Sequence, residues 1–213
     1  MPFLPIHPSP GSSPDPTRFA TDVARLTATT PPGPHRVIFL GSSTLTLWPN
    51  LDQDLGGIGA INHGFGGSQL SDCLHYASAL AFAYEPDAIV LYGGDNDMAN
   101  VKSAETIIDD YERFADLTFA ACPDARLYWV SIKPSIARWT YFSEQTRVND
   151  HVIAASRHDH RRAVLDIRPA MLDTDGQPRA ELFLEDGLHL NTLAYAGWTK
   201  IIRPRLRADL LDQ

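Results

Sequence analysis

AIVLYGGDND, residues 88–97, is apolar on both faces for five residues and then turns to glycine and acid. A strand with one wet face would alternate apolar and polar residues. A run apolar on both sides belongs to a sheet covered on both faces, the usual setting of parallel strands. Working outward, RVIFLG (36–41) and GAINHG (59–64) each close on a glycine, RLYWVSI (126–132) leads into the aromatic loop KPSIARWTYF (133–142), and AVLDIR (163–168) stops at Pro169. Between these runs the period changes to that of helices. Leu70, Leu74, Ala77, Leu80 and Ala81 mark one over 68–83; Ile107, Ile108, Tyr111, Phe114, Ala115 and Phe119 mark another over 104–120, with Ser103 placed to cap it. Residues 143–157 also read as helical, and a further helix spans 192–203, followed by Pro204 and a last amphipathic segment. The alternation predicts an α/β fold: a five-stranded parallel sheet with helices on both faces and right-handed crossovers.

Residues 1–34 read as a proline-rich arm with a short helix, and residues 35–213 as the folded domain. MPFLPIHPSPGSSPDP (1–16) has no period, Phe19, Val23 and Leu26 give a short amphipathic helix over 17–29, and PPGP (31–34) breaks the chain. At 213 residues the whole is one domain of ordinary size with a tail. Lys and Arg number 18 against 26 Asp and Glu, a net charge of −8, which argues against nucleic acid or an anionic membrane as partner. Cys73 and Cys122 lie far apart and outside any zinc-type spacing, so neither a disulfide framework nor a metal site is expected. The early prolines interrupt any signal-peptide core, and no apolar run approaches the ~18 residues of a membrane span, so a cytoplasmic protein is expected.

In open parallel sheets ligands gather beyond the carboxyl ends of the strands. GSST (Gly41–Thr44) follows the first strand, NHGFGGS (Asn62–Ser68) the second and GGDND (Gly93–Asp97) the third, while FLEDGLHLN (Phe183–Asn191) sets Asp186 three residues before His189. A serine hydroxyl needs a neighbouring base, the base needs a carboxylate to hold its tautomer, and a developing oxyanion needs preorganised donors. Ser, Gly, Asn and Asp-x-x-His supply that set in chain order. Taken singly each segment is weak: a helix cap, a flexible turn, an Asx turn, a solvated loop. The other candidates read as ordinary structure: His158, Asp159 and His160 as a solvated helix end, His75 and His151 as helix-surface residues, Cys73 as a small core residue.

With these four blocks in this order, the chain resembles the SGNH hydrolase superfamily, the GDSL esterases and lipases. FLGSSTLTLW, NHGFGGSQLSD, YGGDND and SIKPS are most similar to the small bacterial esterases related to platelet-activating-factor acetylhydrolase. The resemblance implies a flavodoxin-like three-layer sandwich and a serine esterase favouring short acyl chains. It implies Ser43 as nucleophile, His189 as base and Asp186 as its carboxylate, with an oxyanion hole from Ser43, Gly67 and Asn96. The block reads GSS where the family has GDS, so Ser42 stands as the alternative nucleophile. Trp48, Arg138 and Trp139 are candidates for the substrate pocket. The implied substrate is a small-molecule ester, with no metal or organic cofactor; a homo-oligomer is compatible with the reading. A carbohydrate O-deacetylase, a lysophospholipase and a non-catalytic binding module remain the alternatives.

Overall fold

The computed structural model describes residues 15–30 and 37–211. Most of the proline-rich arm and the PPGP break therefore lie outside the described residues. Five parallel strands, β1 (Val37–Gly41), β2 (Ala60–Gly64), β3 (Ala88–Tyr92), β4 (Arg126–Val130) and β5 (Arg162–Leu165), lie in the order β2-β1-β3-β4-β5. Nine α-helical segments accompany them among the described residues: α1 (Ala20–Thr29), α2 (Ser43–Thr46), α3 (Leu51–Asp54), α4 (Leu70–Leu80), α5 (Asp95–Ala99), α6 (Ala104–Ala121), α7 (Phe142–Ser156), α8 (Arg168–Met171) and α9 (Thr192–Leu210).

The alternation of side chains along the strands divides the core in two. Ile38, Leu40, Ile89, Leu91, Leu127 and Trp129 pack with residues of α1, α4, α6 and α7. Val37, Phe39, Val90, Tyr92, Tyr128 and Val130 pack with α2, α3, α8 and α9. Both faces of the sheet are thus dry, as the apolar runs require, and the molecule is a three-layer α/β sandwich. Phe19, Val23 and Leu26 are buried in the first of these cores, so the N-terminal helix lies on the domain and contributes to its packing.

The register sets the site. Gly41 lies opposite Gly64 on one side and Tyr92 on the other, so β1, β2 and β3 end level with one another. The chain leaves β1 for β2 on one side and later returns to place β3 on the other, which makes the gap between β1 and β3 the topological switch point.

One element departs from expectation. The helix expected to end before Pro204 runs on unbroken to Leu210. Pro204 sits on the exposed face, as does Lys200, whose carbonyl it leaves without an N–H partner, while Trp198, Ile202 and Leu206 stay buried on the opposite face and hold both halves in line. Among the described residues no helix is long and apolar enough to cross a membrane.

Candidate active site

At Gly41 a side chain would place its Cβ 2.1 Å from the Tyr92 carbonyl oxygen, so only glycine lets β1 end this close to β3. The chain then turns sharply. Ser42 is extended and buried, and Ser43 opens α2 half-exposed at the rim. Ser43 Oγ lies 3.2 Å from His189 Nε2, so of the two serines it is Ser43 that meets the imidazole. As the first residue of a helix, Ser43 presents a backbone N–H with no acceptor inside that helix.

His189 arrives on the loop between the 3-10 turn Ala180–Leu182 and α9. The loop largely shapes itself. Asp186 Oδ1 accepts the N–H groups of Leu188 and His189, both at 2.9 Å, and Oδ2 sits 2.5 Å from His189 Nδ1. The imidazole first, then the two N–H groups, hold the Asp186 carboxyl down at about 2. It is therefore an anion at any pH near neutrality. Two antiparallel contacts, Leu184 N–H to His189 O and the Phe183–Leu190 bridge, close the base of the loop, and Ala137 N–H reaches Gly187 O from the neighbouring turn.

The segments after β2 and β3 are fastened to each other. Asn96 Nδ2 donates to Ser68 O at 3.0 Å, and Asp97 accepts the N–H groups of Leu70 and Gly94. Asp97 and Asp110 together enclose Lys102 at 2.9 and 3.0 Å with all three side chains buried. Burial alone would pull Lys102 down; the two carboxylates outweigh it and keep the ammonium above its ordinary value. Gly67 takes a left-handed φ of +83°, which a side chain would oppose, in the turn between Phe65 and Ser68. Arg18, ahead of α1, donates to Gly67 O at 3.4 Å and to Asp72 at 2.8 Å, and Phe19 packs edge-on to Phe65. The N-terminal segment thus braces this turn from outside.

The three pocket candidates part ways. Trp48 packs in the core: it is 1% exposed, its Nε1 donates to Asp54 and it stacks on Tyr195. Its place shortly after Ser43 gave the expectation, and the chain beyond α2 turns it inward against Tyr195 and Trp198 of α9. Arg138 turns toward β3, contacting Asp95 and Asn96. Trp139 is half-buried and stacks on Phe142 at 4.3 Å. Cys73 is fully buried, and burial pushes its thiol well up, which suits a packing residue. Among the described residues no group of three or more His, Cys, Asp or Glu is arranged to hold a metal ion.

The reading from sequence passed over three basic residues. Lys133 is 1% exposed and pairs with Asp95 at 2.6 Å and the Tyr92 hydroxyl at 3.3 Å. A lysine inside the apolar SIKP run was a visible signal, since a charge there needs a buried partner. Lys102 was announced only by the carboxylates around it, and Arg18 by nothing.

The GDSL-like Lipase/Acylhydrolase family model matches residues 26–196. A comparison with curated proteins finds no match. Among solved structures, a Streptococcus pneumonia protein provisionally described as a platelet activating factor aligns with a TM-score of 0.76 at 21% identity, over 89% of this chain and 91% of that one. A GDSL-like lipase from Bacteroides thetaiotaomicron aligns at 0.73 and 18% identity, over 92% and 98%. A carbohydrate esterase family 3 protein from Talaromyces cellulolyticus aligns at 0.67 and 18%, over 84% and 99%. These likenesses concern the fold; the family model spans most of the chain, from within α1 into α9, and all four sequence blocks. The chain belongs to the GDSL-like lipase/acylhydrolase family.

Proposed function

We propose that the protein is a serine carboxylic-ester hydrolase that favours short acyl chains and works through an acyl-enzyme. The observation that carries this reading is the chain of contacts Asp186–His189–Ser43, at 2.5 and 3.2 Å, with Gly66 of the Gly67 turn close against Ser43 and the Asn96 amide fastened to that turn at Ser68. Ser43 Oγ attacks the ester carbonyl as its proton passes to His189 Nε2. Asp186, already ionised, holds Nδ1–H and stabilises the imidazolium without taking the proton. The oxyanion accepts hydrogen bonds from the N–H groups of Ser43 and Gly67 and from Asn96 Nδ2, donors set in place before the reaction. His189 then protonates the leaving alcohol, and water repeats the sequence to release the acid. Every residue given a role lies inside the domain assigned to residues 35–213.

The test is turnover of p-nitrophenyl acetate by the purified protein, with acyl lengths from acetyl to octanoyl and an acetylated xylo-oligosaccharide alongside. The sugar ester is included because a structural neighbour is a carbohydrate esterase. Rates highest at acetyl, abolished in Ser43→Ala with an unchanged circular dichroism spectrum, are expected. No turnover of any of these esters, with no labelling by a fluorophosphonate, overturns the reading and leaves a binding module.

A further inference from the structure

Both ends of the Asn96 amide are held, and by groups of opposite kind. Nδ2 donates to Ser68 O at 3.0 Å, while Oδ1 accepts from Arg138 Nη2 at 3.2 Å. A peptide carbonyl only accepts and a guanidinium only donates, so the pair fixes which end of the amide is nitrogen. A flipped amide would set oxygen against the Ser68 carbonyl and NH2 against the guanidinium, two unfavourable contacts in place of two bonds. With one Nδ2 hydrogen on Ser68, the second remains for a ligand.

Arg138 is itself fixed. It donates to the Asp95 carbonyl oxygen, and its Nη1 lies 3.3 Å from Asp95 Oδ1. Asp95 Oδ2 in turn takes Lys133 Nζ at 2.6 Å. The Arg138 side chain is 15% exposed, and its guanidinium is committed to Asp95 and Asn96. The planar fork is what lets one side chain reach the Asp95 carbonyl and Asn96 Oδ1 at once; a lysine ammonium has no such geometry. A cation on Oδ1 also draws electron density from the amide and strengthens Nδ2–H as a donor.

We propose that Arg138 is a positioning residue: its guanidinium holds the Asn96 amide in the orientation that offers Nδ2–H to the reacting oxygen. The proposal deepens the esterase reading and rests on it for the identity of that oxygen. It replaces a direct contact with substrate as the role of Arg138.

A double-mutant cycle on p-nitrophenyl acetate tests it. Asn96→Ala lowers kcat by about 10²–10³. Arg138→Ala lowers kcat by about tenfold with KM within a factor of about three, and Arg138→Lys recovers only part of the loss. Because Arg138 acts through Asn96, the double variant is no slower than Asn96→Ala alone. Losses that multiply, or a raised KM at unchanged kcat, overturn the proposal. A readout independent of turnover is the Asn96 side-chain NH2 resonance, assigned by its disappearance in Asn96→Ala. It moves in Arg138→Gln, a milder change that serves if the alanine variant misfolds. An unmoved resonance overturns the proposal even in an active enzyme. A resonance that moves in Arg138→Gln while the wild type hydrolyses no ester upholds the clamp and sinks the esterase reading instead.

Discussion

Ser43, Gly67 and Asn96 stand on turns leaving three adjacent strands, and the segments of Gly67 and Asn96 are tied to each other through buried carboxylates; Asp186 and His189 stand on a loop outside the sheet that mostly ties itself. On the first side, Asp97 joins the start of α4 to the start of α5, Lys102 and Lys133 are buried against carboxylates, and Arg18 braces the Gly67 turn. On the second, among the described residues, every hydrogen bond to the Asp186 carboxylate comes from within three residues, and the side chain is 47% exposed. The division follows what each side does in the proposed reaction. Donors for an oxyanion gain their effect by not moving as charge develops, so they are set in a rigid frame. A base that takes and returns a proton needs one correct orientation, which a short self-bonded loop provides.

The largest effect separates the two sides chiefly through activity. Asp186→Asn keeps an oxygen to accept the Leu188 and His189 N–H groups, so the loop survives, but it removes the charge that steadies the imidazolium. We expect kcat to fall by about 10³–10⁴ with stability lower by about 1 kcal/mol, the carboxylate's contribution discounted for its exposure, checked by steady-state kinetics and thermal melting. A pH profile refines this. The folded value of Asp186, about 2, lies below its ordinary one, so its contribution is complete above the ordinary carboxylate range and is lost only as pH falls through about 2. The acid limb of kcat/KM near neutrality therefore involves a single proton, with a slope of one on a logarithmic plot. A slope of two would mean that the carboxylate titrates there as well, and the contrast would fail.

The next effect runs the other way, large in stability and smaller in catalysis. Lys133→Met leaves Asp95 without its ammonium partner in a buried place, and breaking such a pair costs about 3–5 kcal/mol. Arg138 still faces Asp95 Oδ1, which points to the lower end, about 3 kcal/mol, or a melting temperature lower by about 6–12 °C. The loss of activity at 25 °C should be smaller than in Asp186→Asn, because the Ser43–His189–Asp186 contacts are untouched. A melting temperature within about 2 °C of wild type would show that the frame does not depend on this pair.

The same division governs what could be read in the sequence. The sheet was legible because strands dry on both faces must be apolar throughout, as AIVLY and VIFLG are, and the rim was legible because glycines close β1 and β2 and follow β3. Asp186 and His189 stand out by their short spacing and Ser43 by the resemblance of its block, with Ser42 as the alternative, and the geometry brings Ser43, His189 and Asp186 together. The frame was not found. Asp72 meets Arg18, Asp95 meets Lys133 and Asn96 meets Arg138 across 54, 38 and 42 residues, and no local period records such a pairing. The inward packing of Trp48 and the unbroken helix at Pro204 were not legible for a related reason: each depends on which face of α9 is buried, and α9 buries Trp198, Ile202 and Leu206 on either side of the proline.

The smallest effect belongs to the residue beside the nucleophile. Ser42 and Ser43 are adjacent and chemically identical, yet the turn after Gly41 sends them to different places: Ser42 inward at 3% exposure, Ser43 to the rim and the imidazole. What Ser42 supplies to the turn is its carbonyl, which accepts the N–H groups of Leu45 and Thr46 at 2.9 and 3.2 Å, and alanine keeps that carbonyl. Ser42→Ala should therefore hold kcat/KM within about threefold of wild type and the melting temperature within about 2–4 °C, measured on the same ester as Ser43→Ala. If Ser42→Ala abolished turnover and Ser43→Ala retained it, the nucleophile would lie on the buried side of the turn. The frame and the reacting group would then be one and the same, and the proposed separation between a fixed half and a proton-trading half would be wrong at its closest point of contact.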